Sequence, residues 1–317
     1  MQADVVVIGA GVIGLTSGIC LAEAGLQVLV RSAEPPARTT SAVAGAMIGP
    51  PVPDPDERVA GWIEVADTRF RAMAEQPGTG VRVMRGRLLS NAADTPPPWA
   101  GAVPGFTLCT PGELAGFRAG FWVELPVAYM PRYLAYLGDR LVSAGGRVEL
   151  RPVAALLEAA EDAPLVINCT GLAAAGLAGD PLVRPIKGQH VVVRNPGLDS
   201  FLFEKGPETA WTGFFPHGDR VVLGGVAIDG DGDPAPDDKV TRGILTRCIA
   251  AEPRLAGMPV LGVEVGLRPG RPRVRLEEEA LGAARCIHHY GHGRYGVMWS
   301  WGSAADMLRI ATRSAVA

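Results

Sequence analysis

The run from Asp4 to Ile8 carries four apolar β-branched residues in a row, Val5-Val6-Val7-Ile8. A short run without polar alternation predicts a strand buried on both faces, as in a parallel sheet. Gly9-Ala10-Gly11-Val12-Ile13-Gly14 follows at once, then a helical pattern to about Ala24, with Gly25 as its stop and a second strand from Gln27 to Val30. Together these make a complete βαβ unit. Helical spacing returns from about Glu57 to Glu75 and from Tyr129 to Ala144, where Tyr133, Leu134, Leu137 and Leu141 form the apolar stripe. Gly145-Gly146 ends that helix, and Arg147 to Leu150 predicts a returning strand.

Two proline-rich stretches interrupt the pattern. GPPVPDP from Gly49 to Pro55 predicts a crossing between domains, and Thr95 to Pro104 predicts a loop. Leu165-Val166-Ile167 runs into Asn168-Cys169-Thr170-Gly171, the shape of a strand end that meets a ligand. From Gly188 to about Gly266, strand-like runs such as His190–Arg194 and Arg220–Val226 predict a β-rich second lobe. Cys286 to Ile310 reads as a strand, a glycine loop and a helix that rejoin the first lobe.

Composition narrows the function classes. With 317 residues, 48% of them hydrophobic, the chain can bury a large core in two lobes. A net charge of −3 and no stripe of Lys and Arg argue against nucleic acid and favour a small-molecule partner. The five cysteines are scattered, with no CxxC or Cys/His ligand spacing, so neither a disulfide framework nor a metal site is expected. They read as reduced thiols of a cytoplasmic protein. The first thirty residues lack a basic segment and a cleavage site, and glycines interrupt them, so neither a signal peptide nor a membrane span is expected.

The GxGxxG turn has a stated chemistry. Its first glycine permits the tight turn, the second lets backbone approach a pyrophosphate, and the third allows close helix packing beside a partly positive helix N-terminus. The same turn serves NAD, NADP and FAD. An acid at the end of the second strand would point to a ribose, but here the strand ends Val30-Arg31-Ser32, with Glu34 beyond. Arg31 suits either a 2′-phosphate or an adenine face, so the cofactor stays open on these residues alone.

Five blocks in order along nearly the whole chain carry a resemblance: VVVIGAGVIGL at the start, TTSAVAG at Thr39–Gly45, INCTG at Ile167–Gly171, GLRPGRPRVRLE at Gly266–Glu277 and HYGHGRYGVMWSWG at His289–Gly302. Together they resemble the D-amino-acid oxidase family. The resemblance implies an α/β fold, with a Rossmann-type FAD-binding domain interleaved with a substrate domain on a large, mainly antiparallel sheet. The expected segments are 1–52, 139–186 and 263–317 for the first domain, and 53–138 and 187–262 for the second. It implies non-covalent FAD, transfer of the substrate α-hydrogen to the flavin as hydride, an imine that hydrolyses to a keto acid and ammonia, and reduction of O2 to H2O2. The partners expected are an amino-acid or amine substrate and O2, with no membrane, and a homodimer is left open.

The same resemblance distributes the site. It gives FAD the turn residues Gly9, Gly11, Val12, Ile13 and Gly14, then Arg31 and Ser32 at the second strand end. Thr39, Thr40, Ser41, Gly45 and Ala46 follow, as do Val153, Cys169, Thr170 and Gly171. The loop along the flavin ring is Gly291 to Met298, of which Gly293, Arg294, Tyr295, Gly296, Val297 and Met298 are expected to bind FAD. His292 in that loop reads as a structural hydrogen-bonding residue, because no nucleophile or carboxylate lies near it in sequence. Arg268 falls on the carboxylate-binding arginine, whose guanidinium fork suits two carboxylate oxygens.

Departures from the family pattern concern the pocket. Its two sheet tyrosines fall near Thr209 and Gly213, neither of which is tyrosine, and the polar residue after the AAG turn is replaced by apolar Met47-Ile48. Met47, Trp211, Gly213 and Phe214, with Phe215 nearby, are the residues expected to shape the pocket. Arg294 replaces a small residue, and its charge suits an acidic substrate tail. Three alternatives are a glycine- or sarcosine-type flavin oxidase, an NADP-dependent dehydrogenase suggested by Arg31, and a flavin-binding protein without catalysis.

Overall fold

The computed structural model describes residues 3–50, 54, 56–204 and 209–313. The expected crossing at 49–55 therefore lies in part outside the described residues. Two sheets organise the chain. The first has six strands in the order 275–281, 284–290, 165–168, 5–8, 28–32 and 147–150. Its centre is parallel: Val5–Ile8 pairs in register with Val28–Arg31 on one side and Leu165–Asn168 on the other. The apolar run explains the position. Val5 and Val7 face one core, while Val6 and Ile8 face another beneath the short helix Leu156–Ala159. Burying each such side chain on both faces is worth roughly 1.5–3 kcal/mol, so the strand cannot sit at an edge without losing most of it.

Helix Val12–Glu23 is apolar nearly all round and packs against helix Gly296–Thr312, which begins the same layer from the other end of the chain. Helix Met130–Ser143 adds Tyr133, Leu134, Leu137 and Leu141 to this core, the stripe expected from sequence. Helix Arg58–Ala74 also belongs here. Its Val59, Trp62, Ala66 and Phe70 are buried in that same core, and Trp62 Nε1 donates to Asp306 Oδ2 at 2.7 Å. The expected division placed Arg58–Ala74 with the substrate domain and split Met130–Ser143 between the two at residue 139. Apolar spacing marks a buried face, but it does not say which lobe covers it.

The second sheet has nine strands and is antiparallel except where Val81–Ser90 runs parallel to Phe201–Glu204. Arg184–Arg194 is its long spine, paired antiparallel with Arg220–Val226 and with Val260–Gly270. One face of this spine carries Gln189, Val191 and Val193 beneath helix Asp238–Ala251, where Gln189 Nε2 donates to the Asp237 carbonyl and Thr241 Oγ1, each at 2.8 Å. The other face, Ile186, Gly188 and His190, lines a cavity between the two sheets. No helix of the described residues is long and apolar enough to cross a membrane.

Candidate active site

The cavity has a volume of about 1370 Å³ and runs from the N-terminal turn to the second sheet. Pockets for one small ligand hold roughly 300–1,000 Å³, so this one has room for a dinucleotide and a substrate together.

Its deep end is built from backbone. Gly9 sits at φ +107°, in the left-handed region, directly after the central strand. Gly14 lies outside the cavity lining: a Cβ there would collide with the Gly9 carbonyl, so it lets the helix rest on the turn. Ser41 Oγ accepts from the Val12 N–H at 3.0 Å, tying the TTSAVAG segment to the helix start, and no side chain of the helix caps its first turn. The helix start at Gly11–Ile13 borders the cavity, and the partial positive charge of a helix N-terminus suits a diphosphate there. Gly9, Gly11, Val12, Ile13, Ser32, Thr39, Thr40, Ser41, Gly45, Ala46, Val153, Cys169, Thr170, Gly171 and the loop Gly293–Met298 all line the cavity, where the sequence placed them. These residues fit FAD.

Arg31 lines the cavity with the other expected residues, but its guanidinium is 1% exposed and paired with Glu158 at 2.5 Å and Asp162 at 2.9 Å, while Nη2 also donates to the Pro152 carbonyl. Two carboxylates already neutralise it, so it offers no free charge to a 2′-phosphate, and the motivation for an NADP dehydrogenase goes with it.

At the other end stands Arg268. It projects from Val260–Gly270 across Gly188, where any Cβ would collide with the guanidinium. Nη1 donates to the Val226 carbonyl at 3.3 Å, and among the described residues no carboxylate pairs with it. Burial, with the Arg294 charge second, pulls its pKa down to about 10, so it stays a cation at neutral pH. A buried cation without a counter-ion is costly, and an anionic ligand removes the cost.

The walls are partly as expected. Met47 and Trp211 line the cavity, and the Trp211 ring lies over Gly224 and Gly225, filling the space their missing side chains leave. Gly213 and Phe214 do not line it. Gly213 is covered by the Trp211 ring, and Phe214 points to the opposite core with Leu223, Ile244 and Cys248. The aromatic residue on the cavity side is Phe215, whose ring is 6.3 Å from that of Trp211. Trp211 and Phe214 are three apart, and a strand of period two puts them on opposite faces.

Sequence reasoning missed Ile186, Gly188 and His190, and the wall formed by Thr95, Pro96, Pro97 and Trp99. The proline loop was visible as a loop, but nothing in it signals a cavity. His292 is structural, as expected: it is buried and its Nε2 lies 3.1 Å from Ser303 Oγ. Burial pushes its pKa to about 3, and His289 beside it is likewise held neutral, with Nδ1 2.9 Å from Ser17 Oγ. Among the described residues no three His, Cys, Asp or Glu side chains converge on a metal position. All five cysteines are free, and burial raises each thiol's pKa.

A dinucleotide cradle that opens onto a chamber on a second sheet defines an oxidoreductase that holds cofactor and substrate between two lobes. The chain belongs to the DAO family of FAD-dependent oxidoreductases, whose model matches residues 4–309. It is 48% identical over 312 residues to a D-amino-acid oxidase of Rubrobacter xylanophilus, covering 98% of this chain and 96% of that protein. It is 32% identical over 324 residues to the D-aspartate oxidase of Homo sapiens, covering 97% and 94%. In fold it matches the glycine oxidase of Geobacillus kaustophilus with a TM-score of 0.82 at 20% identity, over 99% of this chain and 96% of that one.

Proposed function

We propose that this enzyme is an oxidase of D-amino acids, with Arg268 as its carboxylate anchor. The observation that carries the reading is the buried Arg268 guanidinium, free of carboxylate partners among the described residues and aimed into the chamber at the far end of the dinucleotide cradle. FAD, when bound, supplies the two-electron acceptor for oxidation of the amino acid and passes the electrons to O2, the net products being keto acid, ammonia and H2O2. The chain's own part is to bind and orient. At so buried a guanidinium, a bidentate pair with a carboxylate is stronger than in water and fixes the direction of the substrate Cα. Met47, Trp211 and Phe215 present apolar surface to the substrate side chain. Burial keeps His190 in the chamber neutral, so no imidazolium competes with Arg268 for the carboxylate.

The reading assigns the discontinuous segments two tasks: the parallel sheet holds the cofactor and the antiparallel sheet holds the substrate. A second reading concerns the substrate's tail. Arg294 lines the chamber and its charge reaches Arg268, which suits a dicarboxylic D-amino acid. The test is anaerobic mixing of the yellow holoenzyme with a panel of D- and L-amino acids. D-isomers are expected to bleach the flavin, and Arg268→Ala is expected to retain FAD yet lose bleaching by about 100- to 1,000-fold. Normal bleaching in that variant, or a panel that leaves the wild type yellow, refutes the reading.

A further inference from the structure

We propose that Arg275 is a positioning residue for the cofactor: it joins two buried hydrogen-bond clusters that hold separate segments of the cavity wall, the turn at Thr170–Gly171 and the loop that begins at Tyr290–Gly291. The proposal rests on the fit of FAD to the cradle and not on which substrate is oxidised.

The arginines that follow Arg268 in the sequence do not share one fate. Arg273 is exposed, whereas the side chains of Arg271 and Arg275 are only 16% and 12% exposed. Strand 275–281 pairs with strand 284–290 so that Arg275 lies opposite Tyr290 and Glu277 opposite His288, and His288 pairs in turn with Asn168 at the end of strand 165–168. Partners across a sheet share a face, so register gathers these polar side chains. Arg275 Nη1 donates to the Tyr290 hydroxyl at 2.8 Å, and that hydroxyl donates to Asp180 Oδ2 at 2.9 Å. Arg271 Nε donates to the same oxygen at 3.0 Å, and its stem packs on Gly291, which sits at φ +89° and where a Cβ would collide with it. This is the cluster that holds the loop.

On its other side Arg275 Nη2 pairs with Glu279, whose second oxygen lies 3.0 Å from His288 Nε2. His288 Nδ1 is 3.1 Å from Asn168 Nδ2, and Asn168 Oδ1 accepts from the N–H and the hydroxyl of Thr170 at 3.2 and 2.7 Å. Chemistry fixes the directions. A backbone N–H can only donate, so the Asn168 oxygen faces Thr170 and its amide nitrogen faces His288, which makes Nδ1 an acceptor and sends the Nε2 proton to Glu279. Burial lowers the His288 pKa, in keeping with this neutral ring. None of the buried nitrogens and oxygens of these side chains lacks a partner among the described residues. Deleting one therefore strands its neighbours, and a stranded buried group costs more than the bond itself contributed. Thr170, Gly171, Tyr290 and Gly291 all line the cavity, so any such shift reaches the cradle.

The test is made on the holoenzyme, by the flavin released on dilution and by the visible circular dichroism of the flavin that stays bound. Arg275→Met is expected to raise the FAD dissociation constant at least tenfold, and Tyr290→Phe and Asn168→Ala, which cut one cluster each, about fivefold. One network carries both, so the double variant is expected near tenfold, where independent sites would give roughly twenty-five-fold. The dichroism of the bound flavin is expected to change in each variant, which a loss of stability alone would not produce. Arg273→Ala, in the same block but outside the network, is expected to stay within twofold and keep the wild-type spectrum. An unchanged constant and spectrum in both single variants overturns the proposal, as does a twenty-five-fold loss in the double variant or an Arg273→Ala effect as large as that of Tyr290→Phe. Should Arg275→Met not fold, the cycle between Tyr290 and Asn168 decides.

Discussion

The two ends of the cavity are built by different means. At the dinucleotide end the lining comes from a glycine turn, Gly9–Ile13, and a helix start, consecutive in sequence. At the chamber end the lining comes from side chains on strands far apart in sequence: Arg268 crosses Gly188, His190 stands beside it, and Trp211 covers Gly224 and Gly225. A site made of backbone tolerates little local change and is legible locally. One made of side chains across a sheet depends on register, and one added methyl on a neighbouring strand can move it.

The comparison can be broken most severely at Gly14. Gly14→Val drives a branched side chain into the Gly9 carbonyl and lifts the helix from the turn. Flavin affinity is expected to fall by about 100-fold or more, equivalent to roughly 2.7 kcal/mol, and the purified protein to be colourless. Retention of flavin at wild-type affinity would show that the cradle is not formed by this packing.

Acid sharpens the comparison, because each end buries a neutral histidine: His292 at the flavin-side loop and His190 in the chamber, both with pKa pushed to about 3 from an ordinary 6.5. As pH falls below 6.5 the unfolded chain takes up a proton on each ring and the native chain does not until about pH 3. Stability therefore rises with pH across that window, by about 1.4 kcal/mol per pH unit for each ring. Urea unfolding between pH 6.5 and 5 should show this slope, and His292→Asn should reduce it by one ring's share. A flat profile would mean these rings are protonated in the native state.

Gly188→Ala tests the side-chain end alone. The new methyl displaces the Arg268 guanidinium without touching the cradle. D-amino-acid affinity is expected to weaken about tenfold with FAD binding unchanged, read by bleaching and by flavin titration. Loss of flavin in this variant would mean the two ends are not separable. The smallest effect is expected at exposed Arg294, where Arg294→Ala should lower the preference for D-aspartate over D-alanine about threefold, measured as the ratio of kcat/KM. An unchanged ratio removes the acidic-tail reading.

The same contrast explains what could be read in advance. The βαβ unit, the helix over Tyr133 to Leu141, and the strand from Leu165 were visible because each is specified by its own residues. Arg268 was visible only through the family pattern around it. Gly188 and His190 gave no local signal, since their meaning comes from pairing with residues about eighty positions away. The ion pairs of Arg31 were not legible for the same reason, its partners Glu158 and Asp162 lying 127 and 131 residues along the chain. Phe214 was a different failure, because the two-residue period already opposed it to Trp211.

The strand order of the first sheet carries a consequence for how the protein is made. Val5–Ile8 is synthesised well before Ala284–Tyr290 of the same sheet and before the covering helix Gly296–Thr312. An apolar strand and an apolar helix must therefore wait, uncovered, until those segments have followed. Long-range closure of this kind is slow and exposes the nascent chain to aggregation, so fragments that stop short of residue 284 are expected to need chaperones to stay in solution.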